Sequence, residues 1–176
     1  IQDANLPYLE IGSMEDLREA FTWCKESNEA AGFESVVLDS ISEVAEVVLH
    51  EELKRQKDGR AAYGEMNTTM QDLIRAFRDL PGKHVFMTAK LEKSGDEMGR
   101  ILYNPGMPGK ILTQGLPYFF DEVLALRVEK DAEGTTQRAL MCDSDGLWLA
   151  KDRSGKLEAW EAPDLGAIIA KIGGKA

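Results

Sequence analysis

The sequence has 176 residues, enough for about one domain with its own hydrophobic core. It is 43% hydrophobic and 30% charged, as in folded soluble proteins, and no apolar run approaches the roughly 20 residues of a membrane span. The net charge of −10 argues against a protein covered by nucleic acid but leaves room for a local basic surface.

Cysteine and histidine usage excludes a disulfide framework and makes zinc chemistry improbable. Cys24 and Cys142 lie far apart and form no CxxC pair, and His50 and His84 have no metal-ligand spacing. We therefore expect reduced core thiols and a cytoplasmic location.

The first half of the chain predicts three helices and three strands, of which the second and third are buried. Ser13 with Asp16 resembles a capping box, and Val36 to Leu38 is a continuous apolar run typical of a strand buried on both faces. In chain order the prediction is a strand at residues 6–11, a helix from Ser13 to about Gly32, a strand at 36–38, a helix from Ile41, a polar loop at 54–64, a helix at 66–80 and a strand at 84–89.

The second half predicts shorter strands. We expect a charged loop at residues 90–100, an irregular segment at 105–115 with a short helix near Ile111, and strands at 123–128, 139–142 and 147–150. Asp145-Gly146 predicts a hairpin between the last two strands, and Pro163 opens a final helix that ends at Gly173. The order predicts one α/β domain over residues 1–176, a parallel core with a largely antiparallel end.

The first candidate for chemistry is Asp39, with Ser40, at the end of a buried strand. A carboxylate at that edge of an open α/β sheet can hold a hydrated Mg²⁺ against nucleotide phosphates, which is the Walker B role. By itself the segment fits equally a strand that ends in the cap of the next helix.

The second candidate is Lys151-Asp152-Arg153, which follows a predicted strand. Lys151 and Arg153 occupy alternate positions and could reach the γ-phosphate bound by a neighbouring subunit. An isolated KxR is more often a solvated turn.

The order of these motifs resembles that of the RecA superfamily of P-loop ATPases. Its Walker B strand is similar to Val36-Val37-Leu38-Asp39-Ser40-Ile41. Its finger motif, whose cations reach the nucleotide bound by a neighbouring subunit, is similar to Lys151-Asp152-Arg153. Within that superfamily, Pro108-Gly109-Lys110, and Leu116-Pro117 followed by Asp121-Glu122-Val123, most resemble phage-encoded RecA-like ATPases that work beside single-strand annealing proteins. The likeness extends from about Glu34 to Ile172.

The resemblance implies a RecA-like core, ATP and Mg²⁺ as cofactors, and roles for individual residues. Asp39 would hold Mg²⁺ through water and Ser40 would adjoin the nucleotide. Thr88, which we expect near Asp39 at the same sheet edge, would be the polar sensor. Lys151 and Arg153 would be the fingers supplied between subunits of a ring or filament. The family's two DNA-binding loops would lie at residues 54–64 and 90–100, which places Lys54, Arg55, Lys57, Arg60, Lys90, Lys93 and Arg100 at single-stranded DNA.

The phosphate-binding loop of that family, GxxxxGK[ST], is absent from this sequence. The Gly-Lys pairs at Gly82, Gly109 and Gly174 each lack the earlier glycine and the following Ser or Thr. The chain opens on Ile1-Gln2-Asp3-Ala4-Asn5, like the middle of a protein. We therefore expect the loop and the catalytic glutamate upstream, and we expect this chain alone not to bind ATP normally.

The basic segment from Lys54 to Arg60 carries a formal charge of +3. It could contact DNA phosphates, or its cations could complement a helix dipole. Tyr63 could stack on a base or pack on the following helix.

The favoured function is an ATP-dependent, DNA-binding ATPase of recombination or annealing, active as an oligomer on single-stranded DNA, with a single-strand annealing or single-strand-binding protein as a further expected partner. If a phage encodes the chain, the expected location is the cytoplasm of the bacterial host. The alternatives are a KaiC-like or helicase-like motor ATPase, and a non-catalytic assembly module that has lost its P-loop.

Overall fold

The computed structural model describes residues 6–95, 98–130 and 132–173. The chain divides into two compact units, the first formed by Ile1–Lys90 with Gly106–Thr113 and the second by Leu91–Pro105 with Gln114–Ala176. That both units act as one ATPase domain stays a prediction.

The first unit contains three α-helices and a pair of parallel strands. Its elements are α1 (Met14–Glu26), a 3₁₀ turn (Ala30–Gly32), β1 (Ser35–Leu38), α2 (Ile41–Arg55), α3 (Gly59–Arg78) and β2 (His84–Met87). The predicted cap of α1 is confirmed, since Ser13 Oγ accepts a hydrogen bond from the Asp16 amide at 3.2 Å. The strand predicted at residues 6–11 is wrong, because this segment forms no strand pairing.

The core of the first unit lies between α2 and α3. Ile41, Met66, Met70 and Ile74 are at most 1% exposed, as expected from the period of about 3.6 residues in both helices. Strand β1 departs from the prediction, because Val37 is 58% exposed. In the described part of the chain β1 pairs only with β2, so the parallel sheet has two strands there, with one face incompletely covered.

Both segments predicted as DNA-binding loops have regular structure. Lys54 and Arg55 end α2, Arg60 lies in the first turn of α3, and only residues 56–58 connect the two helices. The loop prediction failed because Asp58 caps α3, accepting the Arg60 amide at 2.9 Å, so Gly59 begins a helix. The second segment contains β3 (Lys90–Gly95), which pairs with β4 (Ile101–Gly106); residues 96 and 97 lie outside the described residues.

The second unit carries antiparallel strands, as the sequence predicts, but the strand predicted at residues 147–150 is wrong, because this segment has only an isolated bridge at Trp148. Strand β5 (Glu122–Val123) pairs with β8 (Lys151–Asp152), and β6 (Ala125–Lys130), β7 (Thr136–Met141) and β9 (Trp160–Glu161) pair in that order. The remaining elements of the chain are α4 (Lys110–Gly115), whose residues up to Thr113 belong to the first unit, a 3₁₀ turn (Leu116–Phe119) and α5 (Leu165–Gly173). They confirm the predicted short helix near Ile111 and the predicted final helix.

The hairpin predicted at Asp145-Gly146 is wrong. The Asp145 carboxylate instead accepts the amides of Leu147 and Trp148 at 2.9 and 2.7 Å, which closes a local turn. The partner of β7 on that side is therefore β9, and Trp148 bridges to Tyr103.

Aromatic rings occur in both units. In the first, Trp23 of α1 lies 6.0 Å from the Phe33 ring. In the second, Trp148 stacks on Tyr103 at 4.3 Å, and the Arg127 guanidinium lies 4.3 Å from the Trp148 ring and 5.7 Å from that of Trp160. Arg127 therefore holds two tryptophans by cation–π contact.

Candidate functional site

The strongest candidate site lies where β1 and β2 end. These parallel strands pair in register, Leu38 opposite Met87, so the residues that follow them, Asp39 and Thr88, meet at one edge. Thr88 Oγ1 donates a hydrogen bond to Asp39 Oδ1 at 2.5 Å, and both residues are exposed. The predicted proximity of Asp39 and Thr88 is confirmed, while their chemical roles stay predictions.

Backbone hydrogen bonds fix this edge. The Thr88 amide donates to Leu38 O at 3.0 Å, and the Ile41 amide donates to Thr88 O at 2.9 Å. Ser40, which follows a cis peptide bond after Asp39, caps α2 by accepting the Glu43 amide at 3.3 Å. The start of α2, with its partial positive charge, therefore lies directly beside the Asp39 carboxylate.

The side chains at this edge fit a hydrated magnesium ion. Magnesium prefers oxygen ligands and keeps several of its waters, and Asp39 and Thr88 offer a carboxylate beside a hydroxyl. In the described part of the chain no group of three His, Cys, Asp or Glu side chains could hold a metal ion.

Ser42 was missed by the sequence analysis. It is 1% exposed; its hydroxyl donates to Gly106 O at 2.6 Å and accepts the Lys90 amide at 2.9 Å. A serine among the apolar positions of α2 is the signal that could have identified it.

Lys90, predicted to contact DNA, is held by α2 in this structure. Its Nζ lies 2.5 Å from Glu43 Oε1 and 3.0 Å from Glu46 Oε1. The hydrogen bonds that Lys90 donates to these carboxylates, first to Glu43 and then to Glu46, raise the pKa of Lys90 above its ordinary value. A contact between Lys90 and DNA phosphates would have to replace these ion pairs.

The other predicted DNA-binding residues are exposed. Lys54, Arg55, Lys57 and Arg60 lie around the junction of α2 and α3, and Arg55 Nη1 pairs with Glu52 at 3.1 Å. A cleft of about 630 Å³ beside the start of α1 is lined by Lys54 and Arg55 together with Arg18, Ser13, Met14, Glu15 and Glu51. Lys93 and Arg100 are exposed in the second unit.

The two cations of the KxR motif have different surroundings, because Lys151 is hydrogen-bonded to backbone carbonyls and Arg153 is exposed. Lys151 Nζ donates to the carbonyl oxygens of Pro117 at 2.7 Å and Phe120 at 2.5 Å, and burial, followed by the charge of Arg153, lowers its pKa. Arg153 is 63% exposed and pairs with Asp121 at 2.8 Å. Lys151 would have to leave its carbonyl partners to reach a neighbouring subunit.

A carboxyl pair, also missed in the sequence, lies beside these cations. Glu122 is opposite Asp152 in the β5–β8 register, and burial, followed by hydrogen bonding to Asp152 and its charge, raises the pKa of Glu122 to about 7. Burial alone would also raise the pKa of Asp152, but hydrogen bonds from Ser154 Oγ and the Leu157 amide hold it below its usual range.

Across the described residues, no helix is both long and apolar enough to cross a membrane.

Comparisons with known proteins identify the family. No curated protein and no solved structure matches the sequence. The model of a protein family described as an AAA domain matches residues 1–154, which include Asp39, Thr88, Lys151 and Arg153. This match indicates a nucleotide-hydrolysing, ATPase-like domain that uses nucleotide and Mg²⁺, and the chain belongs to this AAA domain family.

Proposed function

We propose that the complete protein containing this chain is an ATPase whose nucleotide site is built on Asp39 and Thr88. The observation that carries the proposal is the hydrogen bond between these side chains at the carboxyl edge of parallel strands. In open α/β sheets ligands bind at that edge. Membership of the AAA domain family supports the same reaction.

The arrangement gives each residue a distinct task. Asp39 would orient the water shell of Mg²⁺, whose charge neutralises the phosphoryl oxygens during transfer. Thr88, held by Asp39, would report on the γ-phosphate, and Ser40 keeps the start of α2 fixed beside both. A phosphate-binding loop of the form GxxxxGK[ST] does not occur in this sequence, so the proposal rests on Asp39, Ser40 and Thr88.

The finer proposal is a RecA-like ATPase that acts on single-stranded DNA in recombination or annealing. The exposed cations Lys54, Arg55, Lys57 and Arg60 support DNA binding, because cations of this kind contact phosphates without reading sequence. The exposed Arg153 supports a head-to-tail oligomer in which it reaches the nucleotide of a neighbour.

The decisive variant is Asp39→Ala in the complete protein. Loss of the metal-orienting carboxylate should lower kcat about 10²- to 10³-fold, by analogy with other preorganised electrostatic groups. Asp72→Ala is the matched control, since Asp72 is an exposed aspartate of the same unit that pairs with Arg75. Turnover near that of the wild type in Asp39→Ala would refute the site.

The competing functions are separated by the wild-type protein. Stimulation of turnover by single-stranded DNA favours the recombination role. Strand separation coupled to that stimulated turnover favours the helicase-like motor instead. Turnover without stimulation favours a KaiC-like motor, and absence of turnover favours a non-catalytic assembly module.

A further inference from the structure

The chain that follows the Asp39–Thr88 site is held by one buried hydroxyl. Ser42 is 1% exposed and lies in the first turn of α2, three residues after Asp39. Its Oγ accepts the amide of Lys90, two residues after Thr88, and donates to Gly106 O. One side chain therefore connects the helix after β1 to the segment after β2.

This contact completes a closed set of hydrogen bonds. The Ile41 amide donates to Thr88 O at 2.9 Å, and the Lys90 amide donates to Ser42 Oγ at 2.9 Å. Ile41 and Ser42, which are consecutive residues of α2, thus hydrogen-bond to Thr88 and Lys90, the two neighbours of Ala89. A buried hydroxyl with both a donor and an acceptor partner is strongly directional, and its removal leaves the Lys90 amide without that acceptor.

We propose that Ser42 is a positioning residue for ATP hydrolysis, which keeps Thr88 in the position where it meets Asp39 and the γ-phosphate. The inference rests on the proposed ATPase function. Ser42 would touch neither nucleotide nor metal, so it acts on the orientation of Thr88 and not on nucleotide affinity.

The test is steady-state ATP hydrolysis by the complete protein carrying Ser42→Ala. We expect kcat to fall about 10- to 100-fold, because small misplacements of catalytic groups have effects of this size, while KM for ATP changes less than about twofold. Ser42→Thr, which keeps the hydroxyl, should recover most of kcat. Hydrogen exchange at the Lys90 amide should accelerate in Ser42→Ala and not in Ser42→Thr.

The matched control is Thr113→Val. Thr113 Oγ1 accepts the amide of Met107 at 3.2 Å and donates to its carbonyl at 3.0 Å, so it holds the residue next to Gly106. A merely structural role for Ser42 predicts equal losses of kcat in Ser42→Ala and Thr113→Val at matched stability, and that result would overturn the proposal. If Ser42→Ala does not fold, Ser42→Cys replaces it. The weaker hydrogen bonds of sulfur should then give an intermediate kcat, and a wild-type kcat would be contrary to the proposal.

The results separate this inference from the proposed function. An active wild type, an inactive Asp39→Ala and an unaffected Ser42→Ala would reject Ser42 alone. A wild type without turnover would reject both.

Discussion

Neutralising Glu122 should remove a pH dependence of stability from the second unit. Glu122 Oε1 accepts the Ser154 amide at 3.3 Å, and its Oε2 is buried with no hydrogen-bond partner among the described residues. A proton on this carboxyl would supply a hydrogen bond towards Asp152, its neighbour across β5 and β8. The protonated form is therefore favoured by folding.

The pKa values give the direction and the size of the effect. Folding raises the pKa of Glu122 from 4.5 to about 7, so the stabilisation is fully present below pH 4.5 and is lost as the pH rises to about 7. One pKa unit corresponds to about 1.4 kcal/mol, and since Glu122 is only partly buried we expect a loss of about 1–2 kcal/mol over this window. The low pKa of Asp152 keeps its own titration out of this range.

The assay is urea unfolding followed by circular dichroism between pH 4.5 and 8. Glu122→Gln should flatten the profile and exceed the wild type by about 1–2 kcal/mol at pH 8, because glutamine supplies an uncharged donor at every pH. Glu129→Gln, a change of an exposed glutamate in the same unit, should keep the wild-type profile. Equal slopes in Glu122→Gln and the wild type would refute the reasoning.

Two further predictions concern the first unit. Neutralising one of Lys54, Arg55, Lys57 and Arg60 should weaken single-stranded DNA binding about equally for every sequence. It should also reduce the slope of log binding constant against log salt concentration by roughly 0.7, measured by fluorescence anisotropy. An unchanged slope with all four replaced by alanine would leave these residues as cations that only complement the helix ends. Ser13→Ala should lower the free energy of unfolding by about 0.5–2 kcal/mol in thermal melts, since it removes the acceptor for the Asp16 amide, and an unchanged melting temperature would show that the cap is dispensable.

The Asp39–Thr88 site was predictable because it depends on short-range patterns. Two apolar runs that both end in polar residues place those residues at one edge whenever the strands are parallel, and the structure has this arrangement. The caps at Ser13 and Ser40 follow from local chemistry in the same way.

Most of the features that the sequence did not predict depend on distant partners; the start of α3 is an exception, because its cap is local. Gly59 suggested a loop, but the Asp58 cap makes it the first residue of α3. The charged residues 90–95 suggested a loop, but they form β3, which pairs with β4. Glu122 and Asp152 are 30 positions apart, and only the β5–β8 pairing brings them together.

The chain's three tryptophans are divided between the two units, so each unit can be followed separately by its tryptophan fluorescence. Trp23 contacts Phe33 in the first unit, whereas Trp148 and Trp160 both lie near the Arg127 guanidinium in the second. Their intrinsic fluorescence therefore comes from different surroundings. A Trp23→Phe variant would report unfolding of the second unit alone, and a variant with Trp148 and Trp160 replaced by phenylalanine would report the first. The order in which the two units lose structure can thus be followed without an attached dye.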